Sequence, residues 1–200
     1  MMRSAKRVQT AVVTGLALVT LTGAATAGPI FSDNFNAENS GAGALNYSGL
    51  ANWTVTDGTV DLIGNGYFDF YPGQGLYLDL DGSTGNAGRV TSIDFNLDPG
   101  VYELTFKLGG NARGAADDAV TLSFAGLSES FVLSSSQSLT TYTRTVSLAS
   151  AIVGRIEFNH AGGDNMGIIL DDVSISAVPS PAGGIFMGFA TGMFLIRRRR

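Results

Sequence analysis

The chain has 200 residues, of which 44% are hydrophobic and 27 are glycine, and it contains no cysteine. This length suits one domain with a packed core, and the hydrophobic content excludes disorder throughout the chain. The missing cysteines exclude disulfides and Cys-type zinc sites, and the single histidine excludes metal sites built on several histidines. The net charge of −5 argues against a nucleic-acid partner.

The charges are unevenly distributed along the chain. All 17 Asp and Glu lie between Asp33 and Asp172. Only five of the 12 Lys and Arg lie in the same part, namely Arg89, Lys107, Arg113, Arg144 and Arg155. The middle therefore carries 5 − 17 = −12, whereas the two ends carry +7.

Residues 1–27 have the layout of a secretory signal peptide. Residues 1–7 are basic, 8–23 are apolar and uncharged, and Ala25-Thr26-Ala27 is a small-x-small cleavage site. The alternative is a buried or membrane-spanning helix, but the apolar run is short and broken by glycines. The sequence predicts a signal helix that enters the Sec translocon and is cut by signal peptidase before Gly28.

Residues 28–177 alternate between apolar and polar positions with a period of two, which is typical of β-strands. The alternation is clearest at 76–81, 101–108, 120–125, 141–148, 155–160 and 167–176. In the last of these it places Ile169, Asp171, Val173 and Ile175 on one face. Turn signals such as Asp81-Gly82 and Asp98-Pro99-Gly100 separate the runs. We expect an all-β antiparallel sandwich of about ten strands, a jelly roll rather than an immunoglobulin-like sandwich.

Residues 178–200 form a second terminal segment. The sequence Val178-Pro179-Ser180-Pro181-Ala182 leads into the uncharged stretch 182–196, and Arg197, Arg198, Arg199 and Arg200 follow. As a helix, 15 residues span roughly 22 Å, less than a bilayer core of about 30 Å. The arginines are expected to stay on the cytoplasmic side. The alternative to a processed tail is an ordinary tail anchor.

This tail resembles the PEP-CTERM sorting signal of Gram-negative bacteria, in its VPLPA-like variant. The resemblance rests on Val178, Pro179, Pro181 and Ala182, the apolar stretch and the arginine cluster; Ser180 differs from the family residue. It implies export across the inner membrane, a transient short transmembrane helix, and processing by an exosortase-type transpeptidase. The mature protein is then expected at the cell surface or outside the cell.

The middle of the chain resembles the extracytoplasmic domains of such proteins and galactose-binding-like jelly rolls, including many carbohydrate-binding modules. The stretches that carry this resemblance are residues 31–35, 52–55, 75–82 and 170–175. In such jelly rolls a structural calcium ion often joins the first strand to the last. By position, Asp33, Glu38 and Asp172 are the candidate ligands, and a surface acidic cluster is the alternative. Asp79-x-Asp81-Gly82 is a weaker calcium candidate, mainly expected to form a hairpin loop.

Aromatic residues crowd one quarter of the chain. Trp53, Tyr67, Tyr71 and Tyr77 are candidate sugar platforms, although Trp53 also suits a core position. Catalysis has less support, because the only histidine, His160, continues an inward strand pattern and no serine lies in a G-x-S-x-G motif. We therefore expect an exported, non-catalytic surface, matrix or biofilm protein. The alternatives are a module that binds an exopolysaccharide and, further behind, a glycan-cleaving enzyme.

Overall fold

The computed structural model describes residues 28–114 and 116–179, so the predicted signal peptide and the tail from Ser180 onward lie outside it. The described chain is almost entirely β-structure with one short 3₁₀ turn, Glu38–Gly41. The strands are β1 (Pro29–Asp33), β2 (Trp53–Thr56), β3 (Asp61–Gly64), β4 (Leu76–Asp79), β5 (Arg89–Ser92), β6 (Phe95–Leu97), β7 (Gly100–Gly109), β8 (Asp118–Phe124), β9 (Leu127–Leu133), β10 (Thr140–Leu148), β11 (Ile152–Gly154), β12 (Ile156–His160) and β13 (Ile169–Ala177). Within these ranges, no helix has the length and apolar character of a membrane span.

The strands form two main antiparallel sheets. Sheet A has the order β10-β7-β13-β4-β3, with β1 also paired to β13. Sheet B has the order β2-β5-β12-β8-β9, and β6 and β11 form a separate two-stranded ladder. The predicted all-β antiparallel class is confirmed, with more and shorter strands than expected.

The core follows from the two-residue period of the strands. On β7 the inward residues Tyr102, Leu104, Phe106 and Leu108 are buried, while Thr105 and Lys107 between them are half-buried on the outer face. Sheet B contributes residues of the same kind, namely Trp53, Val90, Val120, Leu122, Phe124, Phe131, Ile156 and Phe158. Fully burying one such side chain stabilises the fold by about 1.5–3 kcal/mol.

A β-bulge in β13 changes which residues face the core. The pairing of β13 with β7 shifts register between Asp171 and Ser174, and Asp172 has a positive φ of 48°. A bulge adds one residue and reverses the alternation beyond it. Leu170, Val173 and Ile175 therefore join the core. The prediction that Ile169 and Asp171 lie on the same face of the sheet as Val173 and Ile175 was wrong.

A second apolar cluster lies on the outer face of sheet A. Ile63, Tyr77 and Ile169 are buried there and pack against Phe70 and Tyr71. The segment 65–75, which we call the covering loop, lies over them. The Tyr77 hydroxyl accepts hydrogen bonds from the backbone N–H groups of Phe70 (2.6 Å) and Tyr71 (3.0 Å) and donates one to Asp69 (2.9 Å). One buried hydroxyl thus fixes the loop on the sheet.

The two ends of the sandwich differ in what they carry. At one end Asp61, Asp79, Gly109 and Ile169 are adjacent through strand pairing, and we call this the loop end. β13 runs from the loop end to Ala177, and Pro29 of β1 pairs with Ser176. The described chain therefore begins and ends away from the loop end.

Candidate functional site

A tight turn follows Gly64, which ends β3 and pairs with Leu76, three residues along the strand from the Asp61–Asp79 pair of the loop end. Gly64 and Tyr67 exchange two backbone hydrogen bonds (2.8 and 2.9 Å), with Asn65 (φ 51°) and Gly66 (φ 84°) between them. Two positive φ values in an Asn-Gly pair are typical of a type I′ turn. The turn determines where the next two residues, Tyr67 and Phe68, are placed.

Tyr67 and Phe68 form an exposed aromatic pair. Their ring centroids are 4.9 Å apart in an edge-to-face arrangement, and the two residues are 38% and 57% exposed. Tyr67 packs so closely against Gly43 that a Cβ at position 43 would lie 2.3 Å from Tyr67 Cδ1. Phe68 has a φ of 45°, which is unusual for a bulky residue. A large apolar side chain is therefore held in water on a strained backbone, which is a recurring property of functional sites.

Phe68 borders a narrow cavity of about 50 Å³. Its apolar wall is formed by Leu45, Ile63 and Phe70, and its polar wall consists of Asp61, Asp79, Ser83 and Arg113. An apolar rim beside a few convergent polar groups is the usual composition of a small-ligand site.

Asp79 and Arg113 form the central ion pair of the polar wall. The guanidinium donates to Asp79 Oδ2 at 2.7 Å and lies over the Phe70 ring, 5.4 Å from its centroid. Asp79 Oδ1 accepts from the backbone N–H groups of Asp81 (3.1 Å) and Gly167 (2.9 Å). Asp79 is only 2% exposed, and burial raises its pKa to about 7 despite these partners.

Asp61 is the second carboxylate of the cavity. Its Oδ1 accepts from the backbone N–H groups of Asn46 (2.7 Å) and Ser83 (3.2 Å), and its Oδ2 accepts from the Ser83 hydroxyl (2.7 Å). Both carboxylates are thus held in fixed orientations by the backbone, which pre-organises the wall before a ligand arrives.

More carboxylates surround this cavity at the loop end. Burial and the neighbouring charges of Asp164, Asp81 and Asp117 raise the pKa of Asp118 to about 6, while Arg113 opposes the shift. Asp81 Oδ2 accepts from the backbone N–H groups of three consecutive residues, 163–165, at 2.7–3.1 Å. The Asp79-x-Asp81 pair, considered for calcium on sequence grounds, therefore organises the surrounding loops.

His160 lies in the core beside this cluster. Its Nε2 accepts from the backbone N–H of Ile168 (3.1 Å), which assigns the ring proton to Nδ1. Burial lowers the pKa of His160. In the described part of the chain, His160 Nδ1 and Asp81 Oδ1 are buried without a hydrogen-bond partner. A neutral imidazole whose only lone pair is occupied is not available as a general base.

The four predicted sugar platforms are not equivalent. Trp53 (4% exposed) and Tyr77 (0%) are buried, so neither presents a face to a ligand. Tyr71 is half-buried and its hydroxyl donates to the carbonyls of Gly110 (2.6 Å) and Gln137 (2.8 Å). Tyr67 is exposed and packs against Phe68, which lines the cavity, although Tyr67 does not line it directly.

The three predicted calcium ligands each have partners within the protein. Asp33 lies on β1 next to β13, but its carboxylate accepts from Trp53 Nε1, Asn52 Nδ2 and the Phe35 N–H. Both oxygens of Glu38 accept from the Ala51 N–H, and the Lys107 ammonium lies 2.5 Å from Asp172. In residues 28–114 and 116–179, no group of three or more His, Asp or Glu is placed to hold a metal.

Several residues of the site were not predicted. Phe68, Asp61 and Arg113 were not among the residues that the sequence indicated as a site. The one usable indication was the Gly64-Asn65-Gly66 turn followed by two aromatics, because a turn that short places the next side chains at an edge. The carboxylates are brought to the cavity only by strand pairing.

No protein-family model and no curated protein matches the chain. A CBM22-1 xylan-binding domain from Paenibacillus barcinonensis is 15% identical over 80% of this chain and 100% of its own, with a TM-score of 0.46. The K3 cleaved adhesin domain of Lys-gingipain from Porphyromonas gingivalis is 18% identical over 74% and 99%, with a TM-score of 0.49.

A third solved structure, the CBM22-1–GH10 part of Clostridium thermocellum xylanase 10B, is 14% identical over 77% of this chain, with a TM-score of 0.45. This chain spans 29% of that one. Because all three TM-scores lie below 0.5, no residue, ligand or activity is transferred from these proteins.

Proposed function

We propose that the β-sandwich is a non-catalytic carbohydrate-binding module within an exported protein. The observation that carries the proposal is the exposed Tyr67–Phe68 pair at the rim of a cavity walled by Asp61, Asp79 and Arg113. A sugar ring presents an apolar C–H face and a set of hydroxyl groups. The aromatic rim can pack against the C–H face, and the charged groups, which are already oriented, can hydrogen-bond to the hydroxyl groups.

The cavity is too small for a whole sugar ring. A volume of about 50 Å³ is only a few times the roughly 10–15 Å³ that holds one water molecule, which suits a substituent of a sugar. The ring itself would rest on Phe68 and Tyr67, with one substituent directed between the carboxylates. An open rim of this kind suits a position within a polymer.

The test is affinity gel electrophoresis and isothermal titration with a panel of neutral, basic and acidic polysaccharides. The protein is the full-length chain with both terminal segments, purified in detergent. Phe68→Ala is expected to weaken binding about tenfold or more, because stacking on the rim is lost. Val132→Ala is the matched control, because Val132 is an apolar residue 66% exposed on β9 of sheet B. Retardation by no polysaccharide, or full binding by Phe68→Ala, would contradict the proposal.

Export is the second part of the proposal and rests on the sequence of the two ends. The signal peptide 1–27 and the motif around Val178 and Pro179 support passage through the Sec translocon and sorting by an exosortase-type enzyme. Val178 (43% exposed) and Pro179 are on the surface, where a processing enzyme has access to them. Fractionation with intact-mass analysis is expected to find a shortened protein at the cell surface or in the medium. Finding only the uncut chain in the cytoplasm would refute it.

A further inference from the structure

The two carboxylates of the cavity retain unused acceptor capacity on its polar wall. Each oxygen of an ionised carboxylate offers about two lone-pair positions, and a bound cation favours this ionised form at Asp79, whose pKa burial raises to about 7. Asp61 Oδ2 accepts from Ser83 Oγ, and Asp79 Oδ2 accepts from Arg113. Within the described residues these are their only hydrogen-bond partners, so each oxygen keeps one position. Two carboxylate oxygens from two strands therefore offer acceptor positions to one small substituent.

Most of the charged side chains near the cavity are carboxylates. The charge of Asp61 raises the pKa of Asp79, and the charges of Asp164, Asp81 and Asp117 raise the pKa of Asp118, so these carboxylates lie close to one another. Arg113, the base placed among them, is paired with Asp79. The field at the cavity is therefore negative, and it attracts cations and repels carboxylate-bearing sugars.

We propose that the cavity binds the protonated amino group of an amino sugar, so that the preferred glycan is a polysaccharide with free, non-acetylated amino groups. The inference rests on the proposed carbohydrate-binding function and specifies its ligand class. An ammonium group fits the volume, brings three donors to Asp61 and Asp79, and carries the charge that the loop end favours. An N-acetyl group on the same nitrogen removes the charge and leaves one N–H donor in place of three.

The experiment compares three oligosaccharides of equal length by isothermal titration with the full-length protein. They are a chitosan oligomer with free amines, its fully acetylated chitin counterpart and an oligogalacturonate. Chitosan is expected to bind at least tenfold more tightly than chitin, and its binding should weaken as salt is raised, because charge attraction is screened. Asp61→Asn should reduce the chitosan affinity and leave any chitin binding nearly unchanged.

The outcomes separate the two proposals. Chitin bound as tightly as chitosan, or oligogalacturonate bound best, would overturn the amino-group assignment while the carbohydrate-binding function stands. No binding to any oligosaccharide or to the larger panel would overturn both. Because Asp61 is buried and its variant can fail to fold, the comparison of ligands on the unaltered protein decides the matter alone.

Discussion

The outer faces of the two sheets contrast sharply. Most outward residues of sheet B are polar, and Thr54, Thr91 and Thr121 remain exposed or half-buried. The outward residues at the loop end of sheet A include Ile63 and Tyr77, which are buried beneath the covering loop. An apolar stripe on an outer face has to be covered, and here the segment that covers it also presents the aromatic rim. The packing of the covering loop and the placement of the Tyr67–Phe68 pair are therefore coupled in sheet A.

The largest expected effect is that of removing the ring beneath the covering loop. Tyr77→Ala deletes a fully buried aromatic side chain and should lower the free energy of unfolding by about 3–5 kcal/mol. Thr121→Ala on the outer face of sheet B should change it by no more than about 0.5 kcal/mol. Urea unfolding followed by tryptophan fluorescence measures both. Equal losses of unfolding free energy in Tyr77→Ala and Thr121→Ala would contradict the difference between the two outer faces.

The pH dependence of stability tests the buried acids. Burial and the neighbouring Asp172 raise the pKa of Asp171 to about 7, and burial raises the pKa of Asp79 to a similar value. Between about pH 4 and pH 7 the folded state then holds more protons than the unfolded state, so the free energy of unfolding falls as pH rises. One carboxyl gives a slope of at most about 1.4 kcal/mol per pH unit. His160, whose pKa is lowered by burial, acts in the opposite sense below pH 6.5.

Asp171→Asn isolates the acid contribution from that of His160. The variant should lose stability less steeply than the unaltered protein between pH 4 and pH 7, because one titrating group is gone. Unfolding curves at several pH values measure the difference in slope. Superimposable pH profiles of the two proteins would show that Asp171 ionises normally.

A smaller effect is expected when only the Tyr77 hydroxyl is removed. Tyr77→Phe leaves two backbone N–H groups of the covering loop without their acceptor and should cost about 1–3 kcal/mol. The covering loop should loosen more than the rest of the fold. Hydrogen exchange at Phe70 and Tyr71 should accelerate relative to β12, and uniform exchange across the domain would argue against a separately anchored loop.

The smallest effect on stability is expected at the rim itself. Phe68→Gly relieves a positive φ that costs a bulky residue about 1–2 kcal/mol, but it adds backbone freedom to the unfolded chain worth about 0.5–1 kcal/mol. The net change in unfolding free energy should stay within about 1 kcal/mol, while polysaccharide binding is lost. Stability and binding that fall together would mean that Phe68 is a packing residue.

The period-two pattern was sufficient to predict the fold class and the inward residues of regular strands such as β7 and β8. It failed at Asp172, because a bulge depends on the backbone of one residue and leaves no periodic trace. The short strands β6 and β11 were also missed, since three residues hold too little alternation.

The candidate site was predictable only in part. Tyr67 was identified by type and neighbourhood, whereas the placement of Trp53 and Tyr77 in the interior depends on what packs on each strand face. The Asp79–Arg113 pair joins residues 34 positions apart. Strand order decides that contact, and spacing along the chain contains no information about it.

β13 runs along sheet A from the loop end to the opposite end of the sandwich. Its nine residues extend roughly 25 Å from the cavity end to Ala177, where the chain also enters through Pro29. The polar wall formed by Asp61 and Asp79 therefore lies near one end of β13, and the two ends of the described chain lie near the other. If the proposed carbohydrate-binding function holds, a support attached near Pro29 or Ala177 would lie away from Asp61 and Asp79, and a long polymer could reach the cavity along its length rather than only by an end.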